Sequence, residues 1–380
     1  MTDLTTYRDR FPILAETTYL ISHSLGPMPL EAKFRLDAYA DTWMKRGIRA
    51  WGEGWWETPM TVGDQIARLI GAPPGSTVMH QNVTVASAVV LSCFPFTGER
   101  RRIVYGDGEF PSVRYLHQAQ AGRGADVVVV AQGDDQDLVE AIDERTQLVL
   151  LSHVLFKTGL IQDVEPVIQR AHEVGAHVLL DAYQSVGAVP LDVGALGVDF
   201  ATGGSVKWLC GGPGAGWLYI RPDLAERLEP TLVGWQGHAD PFAFEPELRY
   251  ASGAARFLTG TPNVPALYAA TAGYDIIEEI GVAPIRERSL ELTSRLTGLL
   301  DEAGYEVVSP REPELRGATV VVRVPDAPTV HAELQRREIL CDFRPDVGLR
   351  LGPHFFTTEE ELDVTVAAIR EIAATSAPAT

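Results

Sequence analysis

The chain has 380 residues, 46% hydrophobic and 22% charged, a composition that supports a large core and excludes a disordered chain except at the ends. Against 32 Lys and Arg stand 51 Asp and Glu, and the formal charge of -19 repels phosphate backbones and anionic membrane surfaces, which excludes nucleic acid as a partner. Cys93, Cys210 and Cys341 are far apart and lack CxxC spacing, so neither a disulfide framework nor a zinc site is expected and no metal is called for.

Taken in chain order, the N-terminal MTDLTTYRDRFPIL carries acids early and has no apolar leader segment. No later run reaches the ~18 uninterrupted apolar residues of a bilayer span, so a soluble, cytoplasmic protein is expected. Residues 1–18 read as an N-terminal arm. From about residue 60 to 220, β-branched runs alternate with helix-like stretches: RRIVYGD (101–107), ADVVVVA (125–131), TQLVLLSHV (146–154), AHVLLDAY (176–183), VDFATGG (198–204) and GAGWLYI (214–220). Such continuous apolar runs, separated by amphipathic segments such as VEPVIQRAHEVG (164–175), predict strands buried on both faces of a mostly parallel, doubly wound α/β sheet. Beyond residue 270 the pattern changes to a long helix, strands at YEVVSP and GATVVVRVP, a helix at PTVHAELQRRE, a strand at ILCDFR, then GLRLGPH and a last helix. The predicted division is therefore a large domain over 19–270 and a smaller α+β domain over 271–380.

Asp181 ends one predicted strand, and Lys207 follows the next, at the edge where parallel sheets hold ligands. An acid and a lysine at neighbouring strand ends suit pyridoxal phosphate, the lysine joining its aldehyde and the acid keeping its pyridine nitrogen protonated. On spacing alone, the pair also reads as an ordinary ion-paired lysine and a loop acid.

The stretch DAYQSVGAVPLDVGALGVDFATGGSVKWLCGGPGAGWLYIRP resembles the cofactor segment of the class V aminotransferase family of fold type I pyridoxal phosphate enzymes, with D-x-x-Q, then S-x-K and a glycine-proline run. Four further blocks are similar to kynureninase motifs: YLISHSLGPMP (19–29), FPSV (110–113), GWQGH (234–238) and CDFRPDVGLRLGPHFFTTEEEL (341–362). The resemblance implies Lys207 as the catalytic lysine and Asp181 at the pyridine nitrogen. It places Gln184 at the phenolic oxygen and Phe110 stacked on the ring. It implies Val83, Thr84 and Ser205 at the phosphate, where a helix N-terminus supplies N–H donors. Trp235 and Thr261 would reach the phosphate from a neighbouring subunit, which implies a homodimer with shared sites. Arg350 would clamp the α-carboxylate of an amino-acid substrate through its planar fork, with Ser24 and the cluster WGEGWWE (51–57) bordering the pocket.

Four positions depart from the kynureninase pattern: Val113 replaces an acid, Val206 a tyrosine, Gln184 a histidine and Thr261 an asparagine. Those groups serve phosphate binding, proton movement and substrate orientation in kynureninases. A desulfurase would need a thiol on a mobile loop. Cys341 instead falls inside the apolar strand EILCDF and reads as a buried structural thiol, as does Cys210. The expected activity is cleavage or elimination at Cβ, C–S lyase chemistry included. The alternatives are amino transfer or other Cα chemistry, such as epimerisation or decarboxylative deamination, and a non-catalytic binding protein on the same fold.

Overall fold

The predicted β-branched runs all become strands of one sheet, and the order of those strands explains where a site can form. The computed structural model describes residues 3–131 and 135–376. After a two-residue strand β1 (Thr18–Tyr19), the sheet is built from β2 (Thr77–His80), β3 (Arg102–Gly106), β4 (Asp126–Val130), β5 (Thr146–Ser152), β6 (His177–Asp181), β7 (Phe200–Gly204) and β8 (Gly216–Ile220). Their order is β2-β8-β7-β6-β5-β3-β4. β3 to β7 run parallel, while β8 is antiparallel to both its neighbours. A parallel return needs a crossover of a dozen or more residues, and the segment 205–215 between β7 and β8 contains no helix. The chain therefore doubles back at once, and Lys207 is left in the tight connection at the sheet's edge.

The strand β2 escapes the sequence pattern because TVMH is only four residues long and shows no alternation. Along β6, Val178 and Leu180 enter one apolar core while Leu179 enters the other, so the sheet is packed on both faces. From β3 the chain moves outward to β4, then returns to the other side of β3 to form β5. That reversal opens a crevice at the carboxyl ends of β3 and β5, the usual ligand position in open α/β sheets.

The helix Val264–Ile280 carries the chain across residue 270, where the sequence suggested a division, and the helix Val282–Glu302 follows it. The second sheet contains β9 (Glu306–Val307), β10 (Val320–Arg323), β12 (Asp342–Arg344) and β13 (Gly348–Leu351) in the antiparallel order β12-β13-β10-β9. The expected single strand ILCDFR is divided at Cys341. Its first half, β11 (Ile339–Leu340), pairs parallel with β1, and its second half, β12, pairs with β13. The N-terminal arm is thereby stitched to the small sheet, and a bidentate Arg8–Glu361 pair at 2.8 and 2.9 Å holds it again. No helix among the described residues is long and apolar enough to cross a membrane.

At the amino ends of β6 and β7, away from the crevice, Asp199 is 1% exposed and ties the strands together. It accepts from the Val178 N–H at 2.8 Å and His172 Nε2 at 2.9 Å, and Arg221 Nη1 lies 3.0 Å away. Burial alone would raise its pKa, but His177, His172 and the Val178 N–H together hold it below the ordinary carboxylate value. The stabilisation it gives is therefore present above the unfolded value, near 4, and is lost as pH falls through the lower folded value. Asp199→Asn is expected to reduce unfolding free energy by about 2–4 kcal/mol at pH 7 and by less at pH 2.5, measured by urea denaturation. An equal loss at both pH values would refute the ionic role.

Candidate active site

The tight β7–β8 connection fixes Lys207 from several sides. Ser205 N donates to the Ala215 carbonyl at 3.0 Å, Gly211 N to the Ser205 carbonyl at 2.8 Å, and Cys210 N to the Lys207 carbonyl at 3.0 Å. The loop after β1 closes over this turn, with Gly26 N donating to the Val206 carbonyl at 2.7 Å. A Cβ on Gly26 would lie 2.2 Å from the Lys207 carbonyl oxygen, so only glycine permits the approach. The loop that presses on the lysine also delivers His23 and Ser24 to the same crevice.

The crevice is a cavity of roughly 430 Å³. Lys207, Asp181, Gln184, Phe110 and Arg350 line it, with Ser24, Val83 and Thr84 at other points of its wall. The Lys207 amine makes no hydrogen bond or ion pair among the described residues. Its Nζ lies 5.4 Å from the centre of the Phe110 ring and 5.0 Å from that of Tyr183. Burial pulls the amine down to about 8, against the pull of Asp181 and with help from Arg350 and Arg344. An amine in that range is partly neutral near physiological pH and can act as a nucleophile or base.

Asp181 is buried, and burial raises its pKa while the Tyr183 N–H bond at 2.9 Å and the charge of Lys207 oppose the rise. Gln184 is fixed at both ends of its amide. It donates to the His23 carbonyl at 3.1 Å and accepts from the Trp208 indole at 3.2 Å, leaving one N–H for the cavity. The helix Val83–Ser92 begins at the rim, with the Asn82 side chain capping Val85 N, so its first turn faces the crevice. Phe110 remains 38% exposed at the mouth, edge-on to Phe156 at 5.2 Å.

Arg350 lies on β13 and is 3% exposed. Its Nε is 3.1 Å from Asp342 Oδ2, its Nη2 bonds the same oxygen, and its Nη1 donates to the Phe156 carbonyl at 2.6 Å. Arg344 Nη2 also reaches that oxygen at 3.2 Å. The small sheet thus presents a guanidinium already neutralised on one side and still carrying free N–H groups for an anion.

Ser205, expected at the phosphate, does not line the cavity, and neither do Trp235 and Thr261, which were expected to reach a neighbouring subunit's phosphate and not this one. Ser205 is 1% exposed and its hydroxyl is turned inward, bonding the Ala215 carbonyl at 2.5 Å and the Tyr274 hydroxyl, because the backbone bonds of the turn orient it away from the crevice. Trp235 is 41% exposed and donates to the Pro241 carbonyl, and Thr261 is exposed, both on the outer surface of the chain. Of the departing positions, Val206 lines the cavity while Val113 is buried in the helix behind it.

Other groups at the site were not singled out from the sequence. Glu109, immediately before Phe110, is 2% exposed. Its two oxygens accept from Ser152 N at 2.8 Å and from the Ser152 hydroxyl. Nothing in the spacing marks a lone glutamate as buried. Tyr183, His23, Asp342 and Arg344 lie inside motifs already noted, where proximity to Asp181, Ser24 and Arg350 was the only signal. A larger groove of about 700 Å³ runs past Tyr19, Met28 and Pro213. Its lining is apolar apart from Lys33, and burial raises the Cys210 thiol and keeps it protonated, so it offers no comparable chemistry. Cys341 is fully buried and raised to about 12 by burial, as a structural thiol would be. Among the described residues no group of three His, Cys, Asp or Glu is placed to hold a metal ion.

The chain is similar to known proteins over nearly its whole length. The family model for aminotransferase class-V matches residues 46–354. A kynureninase of Pseudomonas fluorescens is 32% identical, over 96% of this chain and 91% of that protein. A kynureninase of Deinococcus radiodurans is 33% identical over 91% and 87%. An uncharacterised aminotransferase of Bacillus subtilis is 31% identical over 97% of both. Among solved structures, an apo cysteine desulfurase from Thermococcus onnurineus superposes with a TM-score of 0.87, at 24% identity over 99% of each chain. A cystine C–S lyase bound to cysteine persulfide superposes with 0.86, at 24% identity over 95% and 99%.

Burial raises the Glu109 carboxyl to about 7, with the Asp181 charge adding to the rise and the two Ser152 bonds and Arg114 opposing it. A folded value above the unfolded 4.5 means that this group favours the folded state below pH 4.5, and that the benefit is lost as pH rises through about 7. In Glu109→Gln the amide can keep both Ser152 bonds without the charge. The stability of the variant relative to the parent is expected to improve by roughly 3 kcal/mol between pH 5 and pH 8. Urea titrations at the two pH values measure it, and a constant difference would show that Glu109 does not titrate there.

Proposed function

The chain belongs to the aminotransferase class-V family, and from that premise we propose that it acts on an L-α-amino acid by kynureninase-like cleavage or elimination at Cβ, cleavage of a C–S bond included. The cofactor is pyridoxal 5′-phosphate, and the residues of the crevice fit it. The observation that carries the reading is the Lys207 amine, free of any hydrogen bond or ion pair in the described structure, between two aromatic rings in a cavity with Asp181 and Arg350 in its lining. Bound there, pyridoxal phosphate supplies an electron sink for bond breaking at the substrate's Cα.

The chain's own groups divide the remaining work. Val83 and Thr84 offer N–H groups and a hydroxyl at a helix start for a phosphate. Phe110 is partly exposed at the mouth, and the buried Asp181 carboxyl can stabilise a protonated ring nitrogen. Gln184 keeps one N–H for a phenolic oxygen, and Lys207 can remove and return a proton because burial has weakened its hold on one. Arg350 takes the α-carboxylate, and the apolar wall of Val154, Phe156 and Val206 excludes water from the side-chain end. Trp235 and Thr261 fit a second role, as groups offered to the phosphate of a partner copy in a homodimer with shared sites.

Cβ chemistry is favoured because two relatives named kynureninase align over nearly the whole chain. Amino transfer is the second reading, favoured by the Bacillus relative's name and by Val206 and Gln184, which replace a tyrosine and a histidine that kynureninases use. Purified protein loaded with cofactor is expected to release alanine or pyruvate from one member of a panel of β-substituted amino acids that includes kynurenine and S-alkyl cysteines. Amino transfer to an oxo acid with no alanine or pyruvate from any member would favour the second reading. Lys207→Ala is expected to lose the near-420 nm cofactor band and at least about 1,000-fold in turnover. Retention of turnover would remove Lys207 from the chemistry.

A further inference from the structure

Two glycines seat a cavity-lining tyrosine beside the start of the helix Val83–Ser92. Gly204 ends β7 and Gly216 begins β8, and the two are direct partners in the antiparallel pairing. Directly opposed residues present their side-chain positions on one face of a sheet. On that face a Cβ at Gly204 would stand 2.1 Å from both Cζ and Oη of Tyr183, and a Cβ at Gly216 would stand 2.7 Å from Cα of Asn82. The phenol end of Tyr183 and the residue that caps the helix therefore lie side by side, each against a bare glycine backbone. Glycine inside a strand marks such a close approach. The Tyr183 backbone is fixed as well, since its N–H donates to Asp181 Oδ1 at 2.9 Å and Ala182 N donates to the Thr202 carbonyl at 2.8 Å.

The helix start has donors to fill. Asn82 Oδ1 accepts from Val85 N and the Asn82 carbonyl accepts from Ala86 N, both at 3.1 Å, while among the described residues Val83 N and Thr84 N have no backbone partner. Val83, Thr84 and Tyr183 all line the cavity, and Lys207 Nζ lies 5.0 Å from the centre of the Tyr183 ring. Tyr183 thus runs from the lysine amine to the helix start. Burial, then the Asp181 charge, raises the pKa of the phenol, and the Val83 N–H directed at its oxygen opposes the rise. The hydroxyl keeps its proton at neutral pH, and an oxygen that accepts from an N–H still has that proton to donate. Ser205 cannot take this part, because its hydroxyl is turned inward to Ala215 and Tyr274.

We propose that the Tyr183 hydroxyl is a donor to the cofactor's phosphate, joining the Thr84 hydroxyl and the N–H groups of the helix start. This rests on the reading that the phosphate binds at that helix. An O–H given to an oxyanion makes a short, charge-assisted bond, and the helix dipole favours the same anion. Pyridoxal phosphate carries its aldehyde and its phosphate arm on neighbouring ring carbons. A tyrosine whose ring lies by the lysine amine and whose hydroxyl lies by the helix start is placed along that pair of groups.

The protein freed of cofactor can be titrated with pyridoxal 5′-phosphate and with pyridoxal, which lacks the phosphate, following the absorbance of the bound ligand. The parent is expected to prefer pyridoxal phosphate. Tyr183→Phe keeps the ring and removes only the hydroxyl. It is expected to weaken pyridoxal phosphate binding about 10- to 100-fold and leave pyridoxal unchanged, as for loss of a hydrogen bond to a charged group. If the phenylalanine variant fails to fold, Gly204→Ala replaces it, since its methyl group forces the phenol from its seat, and the same selective loss is expected. Undiminished preference for the phosphate, or equal weakening of both ligands, would overturn the inference. The control is Thr84→Asp, which sets a negative charge at the helix start, where a helix tolerates an acid. If the parent shows no preference, or this control variant keeps it, the reading of the phosphate site fails together with the inference. If Thr84→Asp abolishes the preference while Tyr183→Phe leaves it whole, only the inference fails.

Discussion

Keeping a lysine amine in a low-dielectric cavity with no ion pair is the constraint on which the rest of the site depends. Burying an ammonium disfavours its charged form, and the molecule meets that cost by lowering the pKa of Lys207 instead of giving it a partner. A direct carboxylate contact would instead favour the charged ammonium, which has no lone pair to offer. Asp181 exerts its field without a hydrogen bond to the amine, while its own oxygen is occupied by the Tyr183 N–H. The position follows from topology. Because the β7–β8 connection is too short to cross over, β8 must run antiparallel and Lys207 must lie at the edge where the switch between β3 and β5 opens.

That edge holds two buried acids, Glu109 and Asp181. Ser152 is the register partner of Asp181, and both oxygens of Glu109 bind Ser152, so the ends of β3, β5 and β6 are joined by one polar chain. Gln162 donates to the Ser152 carbonyl at 2.5 Å and closes it. Burial raises both carboxyls; the charge of Asp181 raises Glu109 further, while the Tyr183 N–H and the charge of Lys207 oppose the rise at Asp181. The network therefore gives the sheet edge rigidity beneath Phe110 while limiting how much negative charge the crevice carries.

Much of this was legible in the sequence, and the reasons differ by element. The strands from Arg102 to Ile220 were readable because burial on both faces demands unbroken β-branched runs, which few other structures require. Lys207, Asp181 and Arg350 stand in long motifs that carry glycines, and the structure brings all three to the lining of one cavity. The split of ILCDFR at Cys341 was not readable, since pairing with β1 depends on an N-terminal strand of two residues that has no pattern of its own. The orientation of Ser205 was not readable either. A serine two residues before the lysine looks poised for a phosphate, but the hydroxyl is captured by Ala215 and Tyr274, partners that only the folded turn supplies. Glu109 and His23 were missed for the same physical reason: burial of a polar side chain is a property of three dimensions.

The two sheets are bound into one active site more tightly than a hinge between domains would require. Arg350 belongs to the small sheet, yet its Nη1 bonds the carbonyl of Phe156 beyond β5 of the large one. Leu20 accepts Gly352 N at 2.7 Å, and the loop that follows it presses Gly26 onto Lys207. His354, four residues after Arg350, reaches back with Nε2 2.8 Å from the Trp208 carbonyl. A displacement of the small sheet would therefore move Arg350, the His23 loop and the lysine turn together. The distance between the carboxylate clamp and the lysine amine is thus held by packing from both sheets. On the proposed reading, with an amino acid's carboxylate at Arg350, such a fixed distance would present the same carbon to Lys207 each time and leave selection to the part of the substrate beyond Cα.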